Sequence, residues 1–268
     1  MIIIAGKPEF VFDDSTLSEL ERSIYQKKKS STFEYRYDSV EVLLFELRVR
    51  TQIVESARLL SKSGVRFADF KHSKCNEAFW DRNDKGGFEL KKGVAPHDGI
   101  KDIFNNGRLY AFECATAVVL VLYKAILESI GPKQFDVLFS DLLLYDWHYS
   151  SNLHLKERTH PEDAVAGDLL YFNNPDFDPA TPWWRGENVV KLEKDLYYGH
   201  GIGIKTAEEF IAKLNSFRKP KSTQSASLSD RFDQLDFSSL WQLTSSNQGR
   251  FIIAKVGTIT YVNHYQPN

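Results

Sequence analysis

Cys114 stands directly before Ala115-Thr116-Ala117-Val118-Val119-Leu120-Val121-Leu122-Tyr123, a run of small and apolar residues long enough for a buried helix. A thiol at the first turn of a helix meets a partial positive charge and unpaired N–H groups. Both favour the thiolate, which is the nucleophile. The same position suits a small core residue, since free cysteine is among the most buried residue types. The only other cysteine, Cys75, lies in the polar stretch His72-Ser73-Lys74-Cys75-Asn76 with no apolar helix behind it, and reads as an exposed bystander thiol. Two cysteines without C-x-x-C spacing make neither a disulfide framework nor a zinc site, so a reducing interior is the expected compartment.

A cysteine nucleophile needs a base or an electrostatic partner, and an acid for the leaving group. Glu187 follows Trp183-Trp184-Arg185-Gly186 and precedes Asn188-Val189-Val190. Tryptophans beside a carboxylate desolvate it and raise its pKa, which suits proton exchange near neutrality. A surface glutamate at a strand start fits the same residues. Glu113 adjoins Cys114, but neighbours on a helix point in different directions. It is either a catalytic carboxylate on non-helical backbone or an N-terminal charge favouring the helix dipole. His200, in Gly199-His200-Gly201-Ile202-Gly203, sits where glycines allow close approach of a ligand, and a Cys/His pair is the usual way to activate a thiol. It also fits a plain loop histidine, and His148 in Asp146-Trp147-His148 has the same standing. Trp147, Trp183 and Trp184 fall in these segments as core packing or as a wall that keeps water from an acyl-enzyme.

The elements that must position these residues follow from the rest of the chain. With 268 residues, 42% of them hydrophobic, the chain can bury a large core, and no linker divides it, so one domain is expected. A net charge of −2 with signs well mixed excludes a dedicated nucleic-acid surface, and 13% aromatic residues exclude a disordered chain. No apolar run approaches a membrane span, and Met1–Gly6 is too short for a signal peptide.

In order, a first helix is expected over Leu17–Lys27, capped by Ser15 or Thr16. A long amphipathic helix runs from Val40 to about Ser63, with Leu43, Leu47, Ile53, Val54, Ala57 and Leu60 at helical spacing. Its charged residues Arg48, Arg50 and Glu55 read as solvated face. The Asn83–Gly87 turn suggests a hairpin into Phe88–Lys91, and Ile100–Asn105 a short helix. The Cys114 helix extends to about Ile130, stopped by Gly131-Pro132. Phe135–Leu138 is expected to continue into a strand at Leu142–Tyr145, with further strands at Gly167–Phe172, Trp183–Leu192 and Asp195–Tyr198, the last followed by the glycine-flanked His200, and loops over Ser150–Glu162 and Arg218–Ser229. Thr206 caps a helix over Ala207–Leu214, and Phe251–Val262 is a late strand or hairpin arm. Helices first, the cysteine helix in the middle and antiparallel strands last describe an α+β chain rather than a βαβ repeat.

Phe112-Glu113-Cys114-Ala115-Thr116, Tyr145-Asp146-Trp147-His148, Trp184-Arg185-Gly186-Glu187-Asn188 and His200-Gly201-Ile202-Gly203 together resemble the bacillus spore-coat protein-glutamine gamma-glutamyltransferases, a bacterial transglutaminase family. The likeness runs from Met1 to about Leu243. About 247–268 form a C-terminal extension, expected as a strand, past the shorter members. The resemblance implies a single papain-like core with the cysteine helix packed on an antiparallel sheet, peripheral helices, no cofactor and a monomer. Cys114 matches the nucleophile, Glu187 its partner, Glu113 a partial substitute and His200 a histidine tied to activity. Phe67, Trp147 and Trp184 match aromatic positions lining a tunnel, with Asn188 expected at the substrate.

The implied partners are proteins bearing reactive glutamine and lysine side chains, spore coat proteins among them, with no nucleic acid and no membrane. The implied location is synthesis in the mother cell followed by the spore coat. Backbone N–H groups at the start of the cysteine helix are expected to hold an oxyanion. The rivals are a papain-like cysteine peptidase or amidase, which differs in the acceptor, and a non-catalytic coat protein with an inert cysteine.

Overall fold

In the computed structural model, which describes residues 1–6, 14–246, 251–256 and 259–264, the centre of the molecule is the helix that Cys114 opens. This helix, α4 (Cys114–Ile130), is buried continuously from Ala115 to Leu127. A helix apolar on every side belongs inside a core. Gly131, at φ 84°, ends it in a backbone region that glycine tolerates, and Pro132 starts the next helix, α5 (Pro132–Leu138). The long helix α2 (Val40–Lys62) packs along α4 with Leu43, Leu47, Val49, Ile53, Val54 and Ala57 turned inward. Helices α1 (Glu19–Ser30), α3 (Pro96–Asn105) and α7 (Phe237–Ser246) lie around this pair.

The other half is a six-stranded antiparallel sheet. Its strands are β1 (Leu155–Thr159), β2 (Leu169–Asn173), β3 (Gly186–Glu193), β4 (Leu196–Gly199), β5 (Gly203–Thr206) and β6 (Ser227–Leu235). Their order across the sheet is β5-β4-β3-β2-β6-β1. Strand β3 packs against α4. Val190 and Leu192 join the core with α2 and α4, while Val189 joins a second cluster with Phe172, Tyr197 and Phe210 beneath α6 (Ala207–Asn215). The expected α+β arrangement of a cysteine helix on an antiparallel sheet, as in papain-like cores, is the observed one. No helix among the described residues is long and apolar enough to cross a membrane.

Several local expectations give way. Arg50 is not on a solvated face. It is fully buried, with Nε on Glu46 Oε1 at 2.6 Å and Nη1 on Asp168 Oδ1 at 2.6 Å, while Lys28 from α1 closes on the same Glu46. Arg48 and Glu55 are exposed as expected. Ser18, not Ser15 or Thr16, caps α1 through a reciprocal box with Glu21. Phe135–Leu138 is helical, leaving only Leu143–Leu144 as strand. Strand β1 occupies the expected loop 150–162, and β6 begins inside the expected connection 218–229. Cys75 is half-buried rather than exposed, its thiol pushed up to about 11 by that burial. At the C-terminal end, Phe251–Val256 and Ile259–His264 pair antiparallel; the start of the extension, 247–250, and its last residues, 265–268, lie outside the described residues.

Candidate active site

The site begins with a short two-stranded ribbon. Arg66–Phe67 and Ala111–Phe112 pair in parallel, Phe67 opposite Phe112, and the second of them runs straight into Glu113 and α4. One ribbon therefore fixes both Phe67 and the helix start that carries Cys114. Glu113 is the N-cap, in extended backbone with φ −89° and ψ 176°, so its side chain turns back over the first turn. Its two carboxylate oxygens accept from Ala115 N and Thr116 N, each at 2.6 Å. This is capping in the usual sense, with a charged acceptor.

The cap bears on two expectations. Of the helix-start amides expected to cradle an oxyanion, Ala115 N and Thr116 N are already taken by Glu113. The dipole expected to favour a thiolate also faces a carboxylate, and the Cys114 thiol is pushed up, first by burial and then by Glu187 and Glu113. What supports the sulfur is Asn188. Its Nδ2 donates to Cys114 Sγ at 3.4 Å, and its main-chain N–H lowers the thiol pKa as well.

Asn188 reaches the sulfur because of strand geometry. Neighbours on a strand point to opposite faces, so Asn188 turns toward α4 while Glu187 turns over Gly199 of β4. Glu187 is 1% exposed, and its Oε1 has no hydrogen-bond partner among the described residues. A Cβ on Gly199 would stand 2.9 Å from both Cγ and Oε1 of Glu187. Only glycine leaves room for the carboxylate. Burial, followed by the charge of Glu113, raises the Glu187 pKa well above the ordinary carboxylate range. Glu187 is thus not the exposed glutamate that its place at a strand start also allowed.

His200 is buried and makes no hydrogen bond to the sulfur among the described residues. Nε2 lies 3.2 Å from Arg66 O and Nδ1 3.2 Å from Tyr198 Oη. A carbonyl only accepts, so Nε2 carries the proton and the tyrosine hydroxyl donates to Nδ1. Burial lowers the imidazole pKa to about 4. His148 is exposed on a neighbouring cavity with Trp147, not beside Cys114.

A cavity of about 700 Å³ opens over Cys114, lined among others by Phe67, Trp147, Tyr171, Trp183 and Asn188. Phe67 and Trp147 both line this cavity. Trp184 is one layer back: it stacks on Phe67 at 5.9 Å and on Phe217 at 4.1 Å, buttressing the wall without forming its inner surface. Sequence reasoning missed Tyr171, whose place follows from the β2–β3 register that sets it opposite Asn188. Trp183, 39% exposed at this cavity, takes the wall position rather than the core-packing one that its segment also allowed.

The chain is similar to known proteins over most of its length. A sequence model described as "Protein-glutamine gamma-glutamyltransferase" matches residues 1–244. Proteins of that description are 44% identical over 250 residues in Bacillus pumilus, covering 92% of this chain and 100% of the relative. The one from Halalkalibacterium halodurans is 45% identical over 230 residues, covering 86% and 81% respectively. The solved structure described as "Transglutaminase from Geobacillus stearothermophilus (without C-terminal extension)" superposes with a TM-score of 0.73 at 50% identity, covering 76% of this chain and 97% of that one. On the match across nearly all of residues 1–244 and on these relatives, the chain belongs to the protein-glutamine gamma-glutamyltransferase family of acyltransferases.

Proposed function

We propose that the chain cross-links proteins through a thioester on Cys114, joining a glutamine side chain to a lysine. The observation that carries this reading is a thiol beside an amide donor and a desolvated carboxyl at an aromatic-walled cavity. With Glu187 ionised, the Cys114 thiol gives it a proton and the sulfur adds to the γ-carboxamide carbon of the donor glutamine. Asn188 Nδ2, the side-chain donor on the sulfur, takes the developing oxyanion in place of the Ala115 and Thr116 amides that Glu113 occupies. The C–N bond breaks, the nitrogen takes the proton back from Glu187 and leaves as ammonia, and the acyl group stays on sulfur.

A lysine ε-ammonium then enters and loses a proton to Glu187. The free amine adds to the thioester carbon, the C–S bond breaks, and the thiol regains its proton as the isopeptide leaves. Glu187 makes no hydrogen bond to Cys114 among the described residues, as is common before substrate closes a site. Its carboxyl proton, held by burial, suits the acid half of each step.

The relatives come from Bacillus and neighbouring genera. On that basis the proposed substrates are spore coat proteins, met after synthesis in the mother cell. Incorporation of a fluorescent primary amine into a glutamine-bearing protein tests the chemistry. Release of glutamate with no amine incorporated would place the chain with cysteine amidases instead. Failure of iodoacetamide to label native Cys114 would make it an inert coat protein. Spores lacking the gene should lose ε-(γ-glutamyl)lysine from the coat; an unchanged isopeptide content would remove the coat assignment.

A further inference from the structure

The three-residue turn Gly199-His200-Gly201 touches both halves of the site at once. Gly199 is the floor under the Glu187 carboxylate, since a Cβ there would meet Glu187 Oε1 at 2.9 Å and Phe210 Cε1 at 2.7 Å. Gly201, at φ 103°, lies against Phe67, with a Cβ position 3.1 Å from its Cδ2. Between them His200 holds Arg66 O through Nε2–H, with Tyr198 Oη fixing the tautomer from behind. The imidazole also stacks on Phe112 at 5.1 Å, so its plane is set as well. Arg66 and Phe67 are consecutive on the ribbon that pairs with Ala111–Phe112. Backbone bonds from Arg66 N to Tyr110 O at 3.2 Å and from Ala68 N to Phe112 O at 3.0 Å set the ribbon's register, and among the described residues the one side-chain donor on Arg66 O is His200.

We infer that His200 is a positioning residue: by tying the Arg66 carbonyl to the turn that also supports Glu187, it holds Phe67 in the cavity wall and so directs the thioester toward amine rather than water. The inference rests on the transferase reading above. Water that gained access would add its oxygen to the acyl carbon, break the C–S bond, return a proton to sulfur and leave glutamate in place of an isopeptide. An imidazole neutral through the assay range takes no proton in either branch, which separates this role from general base catalysis.

The test measures, for one glutamine-bearing protein, total ammonia released and fluorescent amine incorporated, from pH 5.5 to 9. In His200→Leu the fraction of acyl groups passed to amine should fall about two- to tenfold, the factor one ordinary hydrogen bond commands. The pH dependence of ammonia release should keep its wild-type shape. His200→Gln, whose amide can still donate to Arg66 O, should recover most of the lost fraction. Gly201→Ala, which pushes on Phe67 while leaving the imidazole in place, should lower the fraction by itself and supplies the result if His200→Leu does not fold. An unchanged fraction in the folded variants overturns the inference. So does a loss of ammonia release with a displaced pH profile at constant fraction, which would make His200 an acid–base group. Wild-type protein that incorporates no amine would instead sink the transferase reading.

Discussion

Asn188 Nδ2 stands 3.4 Å from Cys114 Sγ, and no other side-chain donor bonds to that sulfur among the described residues. The neighbour of the proposed base, rather than the base itself, is thus in contact with the nucleophile. Replacing it with the near-isosteric leucine removes the donor and keeps the volume. Asn188→Leu should lower the rate of ammonia release by about 10²-fold, as for loss of one oxyanion donor, with a far smaller change in KM. Steady-state kinetics on a glutamine peptide decide it, and an unaltered kcat would mean that the oxyanion is held elsewhere.

Gly199 gives a test of Glu187 that leaves the carboxylate in the chain. A methyl group there would stand 2.9 Å from Oε1 and force the side chain aside. Gly199→Ala should therefore approach the loss expected for Glu187→Ala, about 10²–10⁴-fold in kcat as for a general base. Circular dichroism would confirm that the fold survives. Full activity in both variants would remove Glu187 from the mechanism.

Glu113 acts on Glu187 through charge. Burial and then the Glu113 carboxylate raise the Glu187 pKa, and the ionised form is the one that takes the thiol proton. Wild-type kcat/KM should climb as pH rises through a value well above the ordinary carboxylate range. Glu113→Gln removes the negative charge and keeps a capping oxygen, so the climb should move to lower pH. A limb that stays fixed or moves upward would contradict this coupling.

The buried Lys28–Glu46–Arg50–Asp168 network ties α1 and α2 to the sheet and lines no part of the cavity over Cys114. Glu46→Gln leaves two buried cations short of an anion, and should cost about 3–5 kcal/mol in denaturant unfolding with little effect on activity per folded molecule. In the wild type, burial would raise the Glu46 carboxyl, but Lys28 and Arg50 hold it down at about 2 against 4.5 for the free group. That contribution is complete above about 4.5 and lost as pH falls toward about 2. A stability curve flat across that window would show that Glu46 contributes nothing.

Much of this architecture was legible in the chain, and the misses have physical causes. Helix α4 was readable because Ala115–Leu127 is apolar on every side and Gly131-Pro132 ends it abruptly. Strands β1 and β6 were not, because Lys156-Glu157-Arg158 and Ser227–Asp233 are half-solvated and lack clean alternation. Arg50 sits on a helix whose charged residues read as one face, and only the arrival of Asp168 from the sheet shows why it is inside. Cys114 and its acidic neighbours could be singled out from local chemistry. Their roles relative to one another could not: that Asn188 meets the sulfur and that His200 binds Arg66 O depend on how distant strands come together, while the Glu113 cap rests on extended backbone just before the helix.

Every proposed step passes through the Cys114 thioester, and intact mass measurement tests it directly. Enzyme mixed with a glutamine peptide and no amine should gain the mass of the peptide less ammonia, with the adduct on Cys114, and a lysine-like amine should then discharge it. Cys114→Ala should show neither adduct nor cross-linking. Amine incorporation that persists in Cys114→Ala, or an adduct carried by another residue, would contradict the account.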